Sequence, residues 1–133
     1  MTEKPEQETV SLKAGVEALV AKLGFKTYTA MDESGTRYKF KAADLCGWWN
    51  KWIAGREQSR WTEEELFQLE NGTYLVTVEY VSQWQGEPTE YRIDRYEKLE
   101  ELSQHLLDKL RDEITKETSL KIPLSQIAKD LPL

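Results

Sequence analysis

The residues able to do covalent or acid–base chemistry are few in this sequence. His105 is the only histidine and Cys46 the only cysteine. Cys46 has no second cysteine at CxxC spacing, and nothing in the sequence brings His105 to it as a catalytic pair. His105 falls about 60° outside the leucine-rich side of a predicted helix, so we expect it to be exposed. Cys46 is expected to be a small buried residue. We therefore predict no catalytic residues and no cofactor.

Carboxylates are abundant, but their positions have a local explanation. Glu63, Glu64 and Glu65 stand at the start of one predicted helix, where the helix dipole favours negative charge. One histidine and one cysteine do not complete a zinc shell, and the sequence has no Gly-rich phosphate loop or nucleophile elbow. We predict no metal site. A small enzyme or ligand-binding domain is the last of three functional alternatives.

Aromatic and basic residues are concentrated in residues 37–61, a combination that can bind a partner. Aromatic rings beside cations hold single-stranded nucleic acid, and Trp, Tyr and Arg also dominate protein interfaces. Several of these aromatics have a spacing that predicts burial instead. Trp84, beside the turn Gly86-Glu87-Pro88, is a further candidate anchor. The predicted binding surface consists of Arg37, Lys39, Lys41, Trp48, Lys51, Arg56, Arg60, Trp61 and Trp84.

The charge distribution is uneven. The net charge is −6, which disfavours bulk attraction to nucleic acid or to anionic membranes. Residues 24–61 carry seven Lys/Arg against four Asp/Glu, whereas residues 62–133 carry eight against sixteen. Two interpretations stay open: two functionally different faces, or ordinary solvated surface.

Two hairpins and one helix are indicated near the N-terminus and the middle of the chain. Ser11 is a plausible N-cap, and Gly24 a plausible C-terminal glycine, for a helix between them. Alternating residues predict a hairpin from Phe25–Met31 and Arg37–Lys41. They predict a second hairpin from Thr73–Gln85 and Thr89–Ile93.

Four more helices are expected from periodicity and capping signals. Apolar residues from Leu45 to Ile53 recur at helical spacing, and Thr62-Glu63-Glu64-Glu65 matches a capping box. A long helix is predicted from about Arg95 to Thr115, with Asp94 and Glu97 as a capping-box-like start. The last runs from Pro123 to Asp130. Residues 124–131 resemble the first helix of helix-turn-helix proteins, but we favour a capping helix that buries Leu124, Ile127 and Leu131.

These elements predict an α+β fold, in which an antiparallel sheet of two hairpins, about four strands, packs against helices in the order α-β-β-α-α-β-β-α-α. We expect a disordered tail over residues 1–10 and a single domain over residues 11–133. The lone cysteine, the acidic start without a signal-peptide pattern and the lack of a membrane-length apolar run favour the cytoplasm.

The expected function is that of a small non-catalytic protein-binding module: an accessory, adaptor or inhibitor protein. Its partner is expected to be another protein and not a membrane. The alternative is a nucleic-acid-binding accessory protein that uses residues 37–61.

Overall fold

A computed structural model describes residues 8–50 and 59–132 of the chain. Within them, two helices pack on a five-stranded antiparallel sheet with strand order β1-β2-β3-β4-β5. The α+β class is confirmed, with five strands and two helices where about four strands and five helices were expected. In chain order the elements are α1 (Leu12–Leu23), β1 (Lys26–Met31), β2 (Arg37–Trp49), β3 (Arg60–Leu69), β4 (Tyr74–Ser82), β5 (Glu90–Tyr96) and α2 (Gln104–Thr118). Short 3₁₀ turns lie at Leu99–Glu101 and Leu124–Gln126.

Both predicted hairpins form. In the first, Asp32 closes the turn because its carboxylate accepts hydrogen bonds from the Ser34 backbone (2.9 Å) and hydroxyl (2.6 Å) and from the Thr36 backbone (3.1 Å). Gly35 has a φ of 84°, a conformation that glycine adopts without strain. In the second, β4 pairs with β5 from Tyr74–Tyr96 to Tyr80–Glu90.

The helix predicted from Leu45 to Ile53 is wrong over its described part, because β2 continues as a strand through Trp49. A β-bulge between Asp44 and Cys46 explains the misleading pattern. It shifts the alternation by one residue, so that Leu45, Cys46 and Trp48 all face the helices. The resulting spacing imitates one side of a helix. Residues 51–58, with Trp52 and Gly55, lie outside the described residues.

The capping box at Thr62–Glu65 does not start a helix either, since these residues belong to β3. This strand lies in the centre of the sheet and pairs along its length with both β2 and β4. Two ladders outweigh a local signal that would satisfy only the first turn of a helix.

The C-terminal helices are shorter than predicted. Asp94 is paired with Val76 in the sheet, and α2 begins only at Gln104, after Ser103. Beyond α2, the predicted Pro123–Asp130 helix is reduced to a single 3₁₀ turn. Ile127 is buried as expected, but Leu124 and Leu131 are 65% and 81% exposed, contrary to the expectation.

The two helices cover one face of the sheet and bury the main core. Ser11 and Gly24 cap α1 as predicted. Gly15 lets α1 approach the C-terminal half of the chain, because a Cβ there would lie 2.7 Å from Ile122 Cδ1 and 3.1 Å from Ile114 Cδ1. Residues 8–10, at the end of the predicted tail, are held by backbone hydrogen bonds with Lys121. None of the described helices is long and apolar enough to cross a membrane.

The opposite face of the sheet, here called the concave face, carries no helix. The sheet curls so that β1 comes close to β5 although no ladder joins them. A second apolar cluster lies on this face, with Ala42, Phe67 and Leu75 buried at its centre and Tyr28, Phe40, Leu69 and Ile93 packed around them. The β1–β2 hairpin folds over this face, so residues 31–35 line a hollow together with residues 88–92.

Candidate binding site on the concave face

A row of acidic and aromatic side chains crosses the concave face from β2 to β5. The cross-strand partners are Trp49 with Glu63, Glu63 with Glu79, and Glu79 with Tyr91. Directly paired residues share one face of a sheet, so the two carboxylates lie side by side between two aromatic rings. The Trp61 indole N–H donates to Glu63 Oε1 at 2.8 Å and fixes that carboxylate.

The placement of Glu63 beside Glu79 is electrostatically unfavourable. Burial, followed by the negative charge of Glu63, raises the pKa of Glu79 above its ordinary value. Like charges directly opposite each other destabilise a sheet. The fold therefore holds two carboxylates directly opposite each other at a cost in stability.

A second carboxyl pair lies one step further along the strands. Burial raises the pKa of Glu65 to about 9, with a hydrogen bond to Asp44 and the charges of Asp44 and Glu113 as further causes. Burial beside Asp44 therefore favours the protonated form of Glu65, which can donate to Asp44. Gly47, opposite Glu65 on β2, makes room, because a Cβ there would lie 2.6 Å from Glu65 Oε2.

We call this set the acidic–aromatic face, consisting of Asp44, Trp49, Trp61, Glu63, Glu65, Glu79 and Tyr91. Of this set, sequence reasoning named only Trp61 as a binding residue. It assigned Glu63 and Glu65 to a helix start and left Glu79 within the predicted strand Thr73–Gln85. The signal that could have found the face is the strict alternation Trp61, Glu63, Glu65 and Phe67, once β3 is interpreted as a strand.

His105 was expected to be exposed, but its side chain contacts three other residues. Its ring stacks on Trp48 with centroids 3.9 Å apart, and its side chain is 36% exposed. Nε2 contacts both Glu64 Oε2 (2.8 Å) and Ser103 Oγ (3.1 Å). A Ser–His–carboxylate relay requires the two ring nitrogens to serve different partners, so this cluster does not have that geometry. It joins α2 to β2 and β3.

Cys46 is buried, as expected. Its Sγ lies 4.0 Å from the carbonyl oxygen of Leu106, and burial raises the pKa of the thiol far above its usual range. The thiolate is the nucleophilic form of cysteine, so this position has the character of an inert core residue.

The structure distributes the predicted binding residues over several places. Arg37, Lys39 and Lys41 lie at the start of β2, and Trp48 lies near its other end, about 23–36 Å of strand away. Trp48 packs on the helix side, whereas Trp61 lies on the concave face. Lys51 and Arg56 lie outside the described residues.

Among the predicted residues that the structure describes, Arg60 and Trp84 come together from different parts of the chain. Arg60 forms two hydrogen bonds with Glu87, at 2.7 and 2.6 Å, and its Cζ lies 5.7 Å from the centroid of the Trp84 ring. Hydrogen bonds from Arg60 lower the pKa of Glu87. Trp84 is 57% exposed, so this pair remains a candidate contact for a partner.

The described residues contain no group of three or more His, Cys, Asp or Glu side chains arranged to hold a metal ion. Comparison of the chain with known protein families, with curated protein sequences and with solved structures finds no match. The class that the structure defines is an α+β protein with a curled antiparallel sheet, helices on one face and an acidic–aromatic surface on the other.

Proposed function

We propose that this chain is a non-catalytic protein-binding module, an accessory, adaptor or inhibitor protein, that captures a Lys/Arg-bearing segment of another protein on its acidic–aromatic face. One observation carries the proposal: Glu63 lies directly opposite Glu79, between Trp49 and Tyr91. Two features of this arrangement, its charge and its aromatic surroundings, favour a cationic side chain.

The first feature is the charge of the two carboxylates. A lysine or arginine between Glu63 and Glu79 would neutralise two carboxylates that otherwise repel each other. Folding alone gives no reason to place them in direct opposition, because either one as glutamine would avoid the repulsion. A site of this kind gives up some stability in the free protein to gain affinity for its ligand.

The second feature is the set of aromatic rings around the carboxylates. Ammonium and guanidinium groups are attracted to the faces of aromatic rings, most strongly to tryptophan. Trp49 and Tyr91 flank the carboxylates within the row, and the Trp61 indole contacts Glu63 from the neighbouring position on β3. The proposed partner is thus a protein segment with exposed basic side chains and not a polyanion.

A peptide titration tests the proposal. A short peptide of alternating lysine and glycine is added to the full chain while tryptophan fluorescence is recorded. We expect saturable binding that weakens with salt, and a loss of affinity of about tenfold in Glu63→Gln/Glu79→Gln, since each ion pair contributes about 0.2–1 kcal/mol. The matched control is Glu100→Gln/Glu101→Gln, which changes the net charge equally at exposed positions away from the strands.

Two outcomes would contradict the proposal. If both double variants weaken binding to the same extent, only net charge is being sensed. If a single-stranded oligonucleotide binds instead of the basic peptide and quenches tryptophan with a steep salt dependence, the nucleic-acid alternative is correct.

A further inference from the structure

A second hollow on the concave face lies at the other end of the strands, away from the acidic row. Its cavity of about 430 Å³ lies between the β1–β2 hairpin and the end of β5. That volume falls within the range of small-molecule sites. The apolar side chains lining it are Phe40, Leu69, Leu75 and Ile93, one each from β2, β3, β4 and β5.

These apolar side chains belong to the cluster that no helix covers. Leu75 is buried, whereas Phe40, Leu69 and Ile93 are packed around the centre and remain partly accessible. An apolar group that entered the hollow would remove this remaining surface from water, which is favourable in proportion to the area covered.

Two basic residues border the hollow, and the side chain of one of them projects over it. Arg95 is the direct cross-strand partner of Leu75, so it rises from the same face as the apolar floor. Lys39 borders the hollow from β2, but strand alternation turns its side chain to the face opposite to Phe40. In the part of the chain that the structure describes, neither side chain forms a hydrogen bond or an ion pair.

The two carboxylates at the same rim differ in their availability. Asp32 is occupied within its own turn, because Ser34 and Thr36 donate three hydrogen bonds to one of its oxygens. These bonds lower the pKa of Asp32. Both carboxylates are therefore negative and oppose an anion. Glu33 is exposed and takes no part in these turn hydrogen bonds, so its charge can be removed without disturbing the hairpin.

We infer that this hollow is a binding site for a small amphiphilic carboxylate, with the apolar body of the ligand over Leu75 and Ile93 and its carboxylate on Arg95. The inference is independent of the cationic partner proposed for the acidic–aromatic face, because the two sites use different residues and opposite charges. Arginine suits the head group since its planar fork can donate two hydrogen bonds to one carboxylate.

The probe is decanoate, added to the full chain below its micelle-forming concentration and followed by calorimetry and by backbone amide NMR. We expect saturable binding with shift changes centred on β5 and the β1–β2 hairpin. Decanol and decyltrimethylammonium have the same chain without the carboxylate, so both should bind about tenfold more weakly or worse.

Two variants and one control separate the head-group contact from general adhesion. Arg95→Gln should weaken decanoate binding about tenfold, and Glu33→Gln should tighten it about two- to fivefold. The matched control is Arg92→Gln, since Arg92 is on the same strand but projects from the opposite face and is held by Asp94. This control should leave decanoate binding unchanged.

The inference is overturned if decanoate does not bind, if decanol binds equally well, or if Arg95→Gln and Arg92→Gln behave alike. It is also overturned if the NMR shift changes caused by decanoate centre on Trp84. A stable dimer in sedimentation that excludes decanoate would overturn it as well. If the full chain binds decanoate but not the basic peptide, only the proposed function is contradicted.

Discussion

Glu63 and Glu79 face each other across β3 and β4, and burial together with the charge of Glu63 raises the pKa of Glu79. Removing one of these charges should therefore help the fold and harm the site. We expect Glu79→Gln to raise the free energy of unfolding by about 0.2–1 kcal/mol at pH 8. The same variant should bind the basic peptide more weakly.

Urea denaturation measures the first effect and the peptide titration the second. Glu90→Gln, an exposed change on β5, is the matched control and should change neither the free energy of unfolding nor the affinity for the basic peptide. A Glu79→Gln protein that is less stable than the parent would show that the carboxylate supports the fold, and the functional interpretation of the pair would fail.

The Asp44–Glu65 pair predicts a specific dependence of stability on pH. The pKa of Glu65 is about 9 in the folded state, above the ordinary value near 4.5, so the native protein retains a proton that the unfolded chain has lost. Stability from this group is present in full below the ordinary value and is lost as the pH rises through about 9.

Replacement of Glu65 with glutamine should remove this dependence, because the amide keeps a donor for Asp44 and does not ionise. We expect Glu65→Gln to flatten the decline in unfolding free energy between pH 6 and 9, measured by urea denaturation at intervals across about that range. Glu17→Gln, at an exposed position of α1, serves as the comparison. Equal slopes in the parent and in Glu65→Gln would refute the assignment.

Gly15 predicts a steric effect at the contact between α1 and the C-terminal half. Alanine is the better helix former by about 1 kcal/mol, but its Cβ would meet Ile114 and Ile122, which are fully buried and have little room to move. We expect Gly15→Ala to lower the unfolding free energy by about 1–2 kcal/mol despite its propensity. In thermal melts Lys13→Ala, an exposed change in the same helix, should have little effect, and a stabilised Gly15→Ala protein would contradict the close approach.

The contacts of His105 predict that it stabilises the docking of α2. His105→Ala removes the stack on Trp48 and the contact with Glu64, and should lower the unfolding free energy by about 1–2 kcal/mol. A double-mutant cycle with Glu64→Gln isolates the polar part, which should appear as a coupling of about 0.5 kcal/mol or more near pH 6. Full additivity of the two changes would mean that only the stacking contributes.

Local signals in the sequence determined the first helix and both hairpins. Ser11 and Gly24 delimit α1, and the turn residues Asp32–Gly35 satisfy their own backbone groups, so these features do not depend on distant parts of the chain. The apolar series Leu106, Leu107, Leu110 and Ile114 likewise identified the buried side of α2, although its start was placed too early.

The second half of β2 and all of β3 were decided by tertiary structure. The bulge after Asp44 gives the second half of β2 the residue spacing of a helix. The pairing of Cys46 with Leu66 and of Gly47 with Glu65 shows that it is a strand. At Thr62 the capping signal is satisfied within a few residues, whereas the stabilisation of a central strand comes from two neighbours distant in sequence. Local patterns carry no information about such ladders.

The candidate site follows the same division. Composition and charge already indicated a protein rich in aromatic residues, with an excess of carboxylates in the second half of the chain. Which of them come together was decided by the register of β2 to β5, since one step of register would send Glu63 and Glu79 to the helix side. Long-range strand pairing, and not residue type, therefore created the acidic–aromatic face.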